Sequence, residues 1–215
     1  MLIKKGQWPI LLVNVCMLIA FAGFYVARQN YEFIIYIGVI VFFLALILAT
    51  NRKVEYPNGV LWGLTLWALL HMAGGSFSFG GTRLYETMLL PLSETYPVLR
   101  YDQFVHIVGF AVATLVMYHL LRPLLKAELR RWTALSVVVV MAGLGVGALN
   151  EVVEFLATVL LPETGVGGYV NTSLDLVADL LGAALALLII RIRNPWPAGP
   201  AREASADLPL AQNRK

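Results

Sequence analysis

The sequence predicts an all-α membrane protein, a six-helix transmembrane bundle with both termini cytoplasmic. Three observations carry this expectation: a composition too apolar for a soluble globule, six apolar runs of membrane-spanning length, and a lopsided distribution of Lys and Arg between the loops. Of the 215 residues, 59% are hydrophobic and 13% charged, whereas an ordinary soluble domain carries about 25% charged residues. Mean hydropathy is +0.75.

The apolar runs place the spans at Trp8 to Ala27, Tyr31 to Thr50, Gly59 to Ser76, Tyr101 to Leu121, Trp132 to Leu156 and Ser173 to Ile192. Each is near the roughly 20 residues that cross a hydrocarbon core. Together they form one transmembrane domain over residues 1–193. The first span also fits a signal peptide, because Lys4 and Lys5 precede an apolar stretch containing Ala20-Phe21-Ala22. Apolar residues continuing to Ala27 favour an uncleaved helix. The fifth run stays apolar as far as Leu161, so its helix must tilt, bend or emerge from the core. Gly143, Gly145 and Gly147 allow either a bend or close packing.

Between these spans, Phe77 to Arg100 is an outward loop in which Thr82 to Glu86 resembles a helix start and Met88-Leu89-Leu90 an apolar face, predicting a short interfacial helix. Leu161 to Thr172, with Pro162 and three glycines, reads as a tight outer turn. Asn194 to Lys215, rich in Pro, Ala and charge, reads as a disordered cytoplasmic tail.

Orientation follows from the cations. One side holds Lys4, Lys5, Arg52, Lys53, Arg122, Lys126, Arg130, Arg131, Arg191, Arg193, Arg202, Arg214 and Lys215, and the other only Arg28, Arg83 and Arg100. The positive-inside rule then puts both termini of this multi-pass protein in the cytoplasm. The net charge of +3 is inner-face anchoring, and no nucleic-acid partner is expected. A single cysteine, Cys16, excludes an internal disulfide and a thiolate metal site. Walker A, Gly-x-Gly-x-x-Gly and Gly-x-Ser-x-Gly patterns are missing, which removes the commonest nucleotide-binding and serine-hydrolase readings.

The ionisable residues within the apolar runs carry the functional signal, since each is costly at depth unless paired, protonated or facing water. They are His71, Asp102 and His106, Glu151 and Glu154, and Asp175 and Asp179. With the topology above, all seven fall in the outer half of the membrane. Asp102/His106 and Asp175/Asp179 are i,i+4 and Glu151/Glu154 is i,i+3, so each pair shares one helix face. Such a crowd of carboxylates requires protons or cations as compensation. A mixed imidazole and carboxylate set suits a divalent transition metal, Zn, Mn or Fe. The expected ligands are His71, Asp102, His106, Glu151 and Asp175. Glu154 is the candidate general base, and Asn150, Asn171 and Asp179 are supports behind the ligands, with Thr172 as a further hydrogen-bond partner. A metal-free proton relay is the alternative.

Tyr101-Asp102-x-x-x-His106, Asn150-Glu151-x-x-Glu154-Phe155 and Asn171-Thr172-x-x-Asp175-Leu176 together resemble the YjdF-type family of bacterial inner-membrane proteins, over roughly His71 to Leu187. The same blocks are more distantly similar to the VanZ family. Asp102, His106, Glu151, Asp175 and Gly182 match that pattern, while Gln103, Glu154 and Asp179 depart from it. VanZ-like proteins are associated with glycopeptide resistance. The resemblance implies an envelope setting and a shared polar pocket, and supplies no reaction.

Three functions follow as expectations. The first is a metal-dependent hydrolase or transferase acting on a membrane lipid or lipid-linked envelope molecule. The others are a proton- or cation-coupled transporter and a non-catalytic lipid-binding or assembly protein. Nothing in the sequence sets the oligomeric state.

Overall fold

A computed structural model describes residues 3–125, 132–162 and 164–193. The tail expected from Asn194 to Lys215 lies outside the described residues. Among those described there are six long helices: α1 Trp8–Ala27, α2 Tyr31–Val54, α3 Asn58–Ser76, α4 Tyr101–Leu121, α5 Trp132–Leu160 and α6 Tyr169–Arg193. All but α3 are long and apolar enough to cross a membrane. In α3, Asn58, His71 and four glycines dilute the apolar run.

Three helix ends depart from the expected spans by four residues, and one of them is the end of α5, which continues past Leu156 to Leu160. Helix α2 continues past Thr50 to Val54, where Glu55 ends it in the left-handed region at φ 56°. Helix α6 starts at Tyr169, four residues before the apolar run, so the expected turn from Leu161 to Thr172 closes at Gly168. Gly167 and Gly168 take φ of 107° and 89° there, a conformation glycine adopts without steric cost. Helix α5 runs unbroken through its glycines.

The interfacial helix expected after Phe77 does not form. Ser78–Phe79 (β1) pairs antiparallel with Thr82–Arg83 (β2) around Gly80 and Gly81, both at positive φ, the signature of a two-residue hairpin turn. A single 3-10 turn, Leu84–Glu86, follows. Pro91 then disfavours helix at Leu90. The chain instead makes a closed excursion, with Leu89 donating to the Leu99 carbonyl (3.0 Å) and Tyr101 to the Thr87 carbonyl (2.9 Å).

Helices α4, α5 and α6 pack against one another, α3 docks on α4, and α1 rests on α2 and α3. Small residues set how closely the first three approach. A Cβ on Gly182 would stand 2.5 Å from the Ile107 carbonyl oxygen and 2.9 Å from the Ala111 nitrogen, so α6 lies backbone to backbone on α4. On α5, Gly143 faces Thr114 and Ala183, Gly147 faces the Asp179 carboxylate, and Gly145 faces open space. The glycines thus serve close packing, as in small-residue membrane interfaces. Buried polar bonds tie the remaining helices. Asn14 donates to Thr65 Oγ1 (2.7 Å), Asn51 to Gln7 Oε1 (2.7 Å), and Ser76 to the Tyr25 hydroxyl (2.9 Å). An apolar cluster of Tyr25, Phe33, Tyr36, Met72 and Ala157 joins α1, α2, α3 and α5 near the hairpin.

Two substitutions separate packing from helix propensity. Gly182→Val forces α6 off the α4 backbone and is expected to lower the detergent unfolding temperature, at a cost of about 1–3 kcal/mol. Gly145→Ala meets nothing and is expected to be neutral or to stabilise by up to about 1 kcal/mol. Equal effects in thermal scans would refute this assignment of faces.

Candidate metal centre

His106 lies on the second turn of α4, with Asp102 one turn before it. Glu151 and Glu154 lie in the last third of α5, and Asp175 and Asp179 in the first half of α6. Because α4 and α6 run from the hairpin end and α5 runs towards it, these three stretches meet at one level. The close approach at Gly182 and Gly147 brings their side chains together. His106, Glu151, Glu154, Asp175 and Asp179 are all buried, the last two at 0% exposure. Asp102 is 15% exposed.

His106 is the hub. Its Nδ1 donates to Asp179 Oδ1 at 2.8 Å, since a carboxylate can only accept. Its Nε2 faces Asp102 Oδ1 at 3.8 Å and Glu154 Oε1 at 3.9 Å. Two sets, Asp102–His106–Asp175 and His106–Glu151–Glu154, each bring one ligand atom per residue within 4.8 Å of the others. Zn bonds of 2.0–2.2 Å hold ligands at most roughly 4.4 Å apart, so a small side-chain adjustment closes either set on an ion.

The acids are steadied by neutral amides. Gln103 donates to Asp175 Oδ1 (3.2 Å), while its Oε1 accepts the Arg100 backbone N–H (2.6 Å) and caps α4. Asn171 donates to both Asp102 and Asp175, and Asn150 donates to Glu154 Oε1 (2.8 Å). Among the described residues, no Lys or Arg forms an ion pair with any of the five carboxylates. Glu151, 9% exposed, has neither carboxylate oxygen in a hydrogen bond. Thr172 and Asn150 approach it without reaching bonding geometry. Asp179 Oδ2, against Gly147, is also without a hydrogen bond. One imidazole among five carboxylates leaves a strong need for positive charge.

The expected ligand set included His71, which the structure places outside both sets. Its Nδ1 meets the Tyr85 hydroxyl. Its ring sits among Phe33, Tyr36, Trp67 and Tyr85, with centroids 5.4–5.8 Å away. Gly74 gives the Tyr85 ring its room. Burial pushes the Tyr85 phenol well above its ordinary value, and the charges of Asp102 and Glu154 push it further. Tyr85 therefore stays a neutral hydrogen-bond partner of His71, in a layer bordering the carboxylates.

A cleft of about 420 Å³ adjoins the centre. Glu151 and Glu154 form part of its wall, with Thr158, Thr164, Gly168 and Thr172. Its rim, the turn between α5 and α6, is fastened by Glu32, a residue the sequence reading passed over. Glu32 is buried near the start of α2. It accepts from the Gly165 backbone N–H (3.1 Å) and the Tyr36 hydroxyl (3.4 Å), and pairs with Arg83 of the hairpin at 3.5 Å. Tyr85 and the Asp175-binding role of Gln103 carry no metal-ligand signal in the sequence, being a loop tyrosine and an amide in a first turn. Removing the fastener by Glu32→Ala is expected to speed amide exchange at Gly165 by about tenfold or more, the equivalent of about 1.4 kcal/mol. Unchanged exchange there would show that the turn holds itself.

No curated protein and no solved structure matches the chain. A family model described as "Predicted membrane protein (DUF2238)" matches residues 9–195, which covers α1 to α6 and every residue of the cluster. The chain is an integral, multi-pass membrane protein and belongs to the DUF2238 family.

Proposed function

We propose that this protein is a membrane-embedded, metal-dependent enzyme, a hydrolase or group transferase acting on a lipid or lipid-linked envelope molecule. The observation that carries the reading is the setting of His106. Asp179 holds Nδ1, which leaves the Nε2 lone pair directed at Asp102 and Glu154. A carboxylate behind a histidine is how proteins orient imidazole ligands and raise their basicity. The bare oxygens of Glu151 beside it support the same conclusion.

In this reading His106, Asp102 and Asp175 would hold the ion, with Glu151 a further donor from the other set around the shared His106, and the donor set suits Zn, Mn or Fe. When bound, the ion polarises a substrate oxygen and lowers the proton affinity of a water. Glu154, whose Oε1 accepts a hydrogen bond from Asn150, would be the proton acceptor for such a water. Asn171 ties Asp102 to Asp175, and Gln103 fixes Asp175 from α4. His71 acts with Tyr85 at the border of the site. The adjoining cleft receives the polar part of the substrate.

The topology that accompanies this reading has six crossings, α3 included, with cytoplasmic termini in a bacterial inner membrane. The 19 residues of α3 make about 28 Å of helix, close to the roughly 30 Å core. Of the 16 Lys and Arg residues, 13 then face inward. The cluster and its cleft open outward, towards the envelope. The matching positions Asp102, His106, Glu151 and Asp175 support a distant kinship with VanZ-like proteins.

Metal analysis by mass spectrometry on untagged, detergent-purified protein is the test. Near-stoichiometric metal is expected in the wild type, lost in folded His106→Ala and Glu151→Gln variants. Asp179→Asn is expected to weaken metal affinity about 10–100-fold. Wild-type protein that stays metal-free after equilibration with Zn, Mn and Fe would overturn the proposal.

A further inference from the structure

A second, half-open cavity, of about 350 Å³, runs along the bundle from the centre towards the opposite end, with the outward-facing Leu46 and Leu149 at its edge. Its walls come from α1 to α5 and are almost entirely apolar, with Phe43, Leu44, Ala113 and Val146 among them. On α4 it extends from Gly109 to Leu120, or about 17 Å of helix. That is close to half of the roughly 30 Å hydrocarbon core. Its two ends differ. At the far end Gln7 and Asn51, both buried, are bonded to each other and Gln7 also to the Tyr56 carbonyl, which makes a polar floor. At the near end Asn150 lines the cavity and donates to Glu154 of the centre, and Trp67 lines it and packs on His71.

We infer that this cavity holds the hydrocarbon chain of the lipid whose head group is presented to the carboxylate centre. The inference rests on the proposed function and narrows its substrate class to an amphiphile with a long chain. Three features select this occupant. The cavity is apolar along a length suited to one leaflet's chain. Its floor is sealed by amides already bonded to each other. Its other end stops one side chain from Glu154, so a chain inserted there leaves its head group beside the acids. Asn150, which lines the cavity and donates to Glu154, is the positioning residue between chain and head group.

Native mass spectrometry of full-length protein exchanged into detergent from phosphatidylethanolamine and phosphatidylglycerol membranes tests the assignment. One retained phospholipid per chain is expected in the wild type. Ala113→Phe and Val146→Phe fill the cavity and are expected to lower that occupancy at least tenfold, with metal content unchanged. A wild type without retained lipid, equal retention in both folded variants, or a second protein copy in place of lipid would overturn it. Lipid lost on filling from a protein that never takes up metal would sustain the chain site while the enzyme reading fails.

A measurement on the unfilled cavity guards against misfolded variants. Protein with Trp67 as its only tryptophan, in nanodiscs whose phospholipids are brominated on the chain, is expected to lose at least half of its fluorescence. Free phospholipid excluded from the cavity, seen as quenching of Trp67 no greater than at a buried control tryptophan placed at Ala186, would refute a seated chain.

Discussion

Five carboxylates and one imidazole gathered inside an apolar bundle constitute the constraint on which the rest of the structure depends. Burying ionised acids without compensation costs far more than a domain's net stability. The chain meets part of that cost with amides: Gln103, Asn150 and Asn171 each turn an N–H toward a carboxylate. Amides orient acids and share hydrogen bonds, but they bring no net charge. The remainder falls to a cation or to protons, and Glu151, buried with two bare oxygens, is where the need is plainest.

The helix packing is arranged around this cluster. Gly182 sets α6 directly on the α4 backbone, and Gly147 clears space for Asp179 behind His106. A side chain at either position would move apart the very helices that carry His106 and the acids. Helices α1 to α3 supply a different service. They furnish the aromatic layer around His71 and, through Glu32, hold both the hairpin and the turn before α6. The apolar cavity between α1 and α5 and the polar cleft beyond Glu154 meet the centre from opposite sides, the division an amphiphile requires.

Much of this was legible in the residues. Apolar length located all six helices, with α1 and α4 matching at both ends, because a membrane span must be continuous and apolar. The i,i+4 spacing of Asp102 with His106 and of Asp175 with Asp179 brought those pairs to common faces, since helix geometry leaves them no alternative. What escaped depended on contacts distant in sequence. His71 has the chemistry of a ligand, but Tyr85 from the loop engages it. Glu32 reads as an ordinary acidic residue in a first helical turn, and only the folded chain brings Gly165 and Arg83 to it. The start of α6 was missed because Tyr169 to Thr172 adds helix without adding an apolar run. The loop after the hairpin was misread because apolar Met88 to Leu90 precede a proline, and Leu99 at φ 65° turns the chain back.

In the proposed metal centre a single imidazole, His106, would serve the ion through Nε2, with His71 outside the coordination sphere. X-ray absorption spectroscopy on metal-loaded protein tests this most directly, because imidazole scattering reports the number of histidine ligands. The account predicts a shell of oxygen donors with a single imidazole, unchanged in His71→Ala and devoid of imidazole in His106→Ala. Two imidazoles in the wild type, or a spectrum that His71→Ala alters and His106→Ala does not, would contradict it.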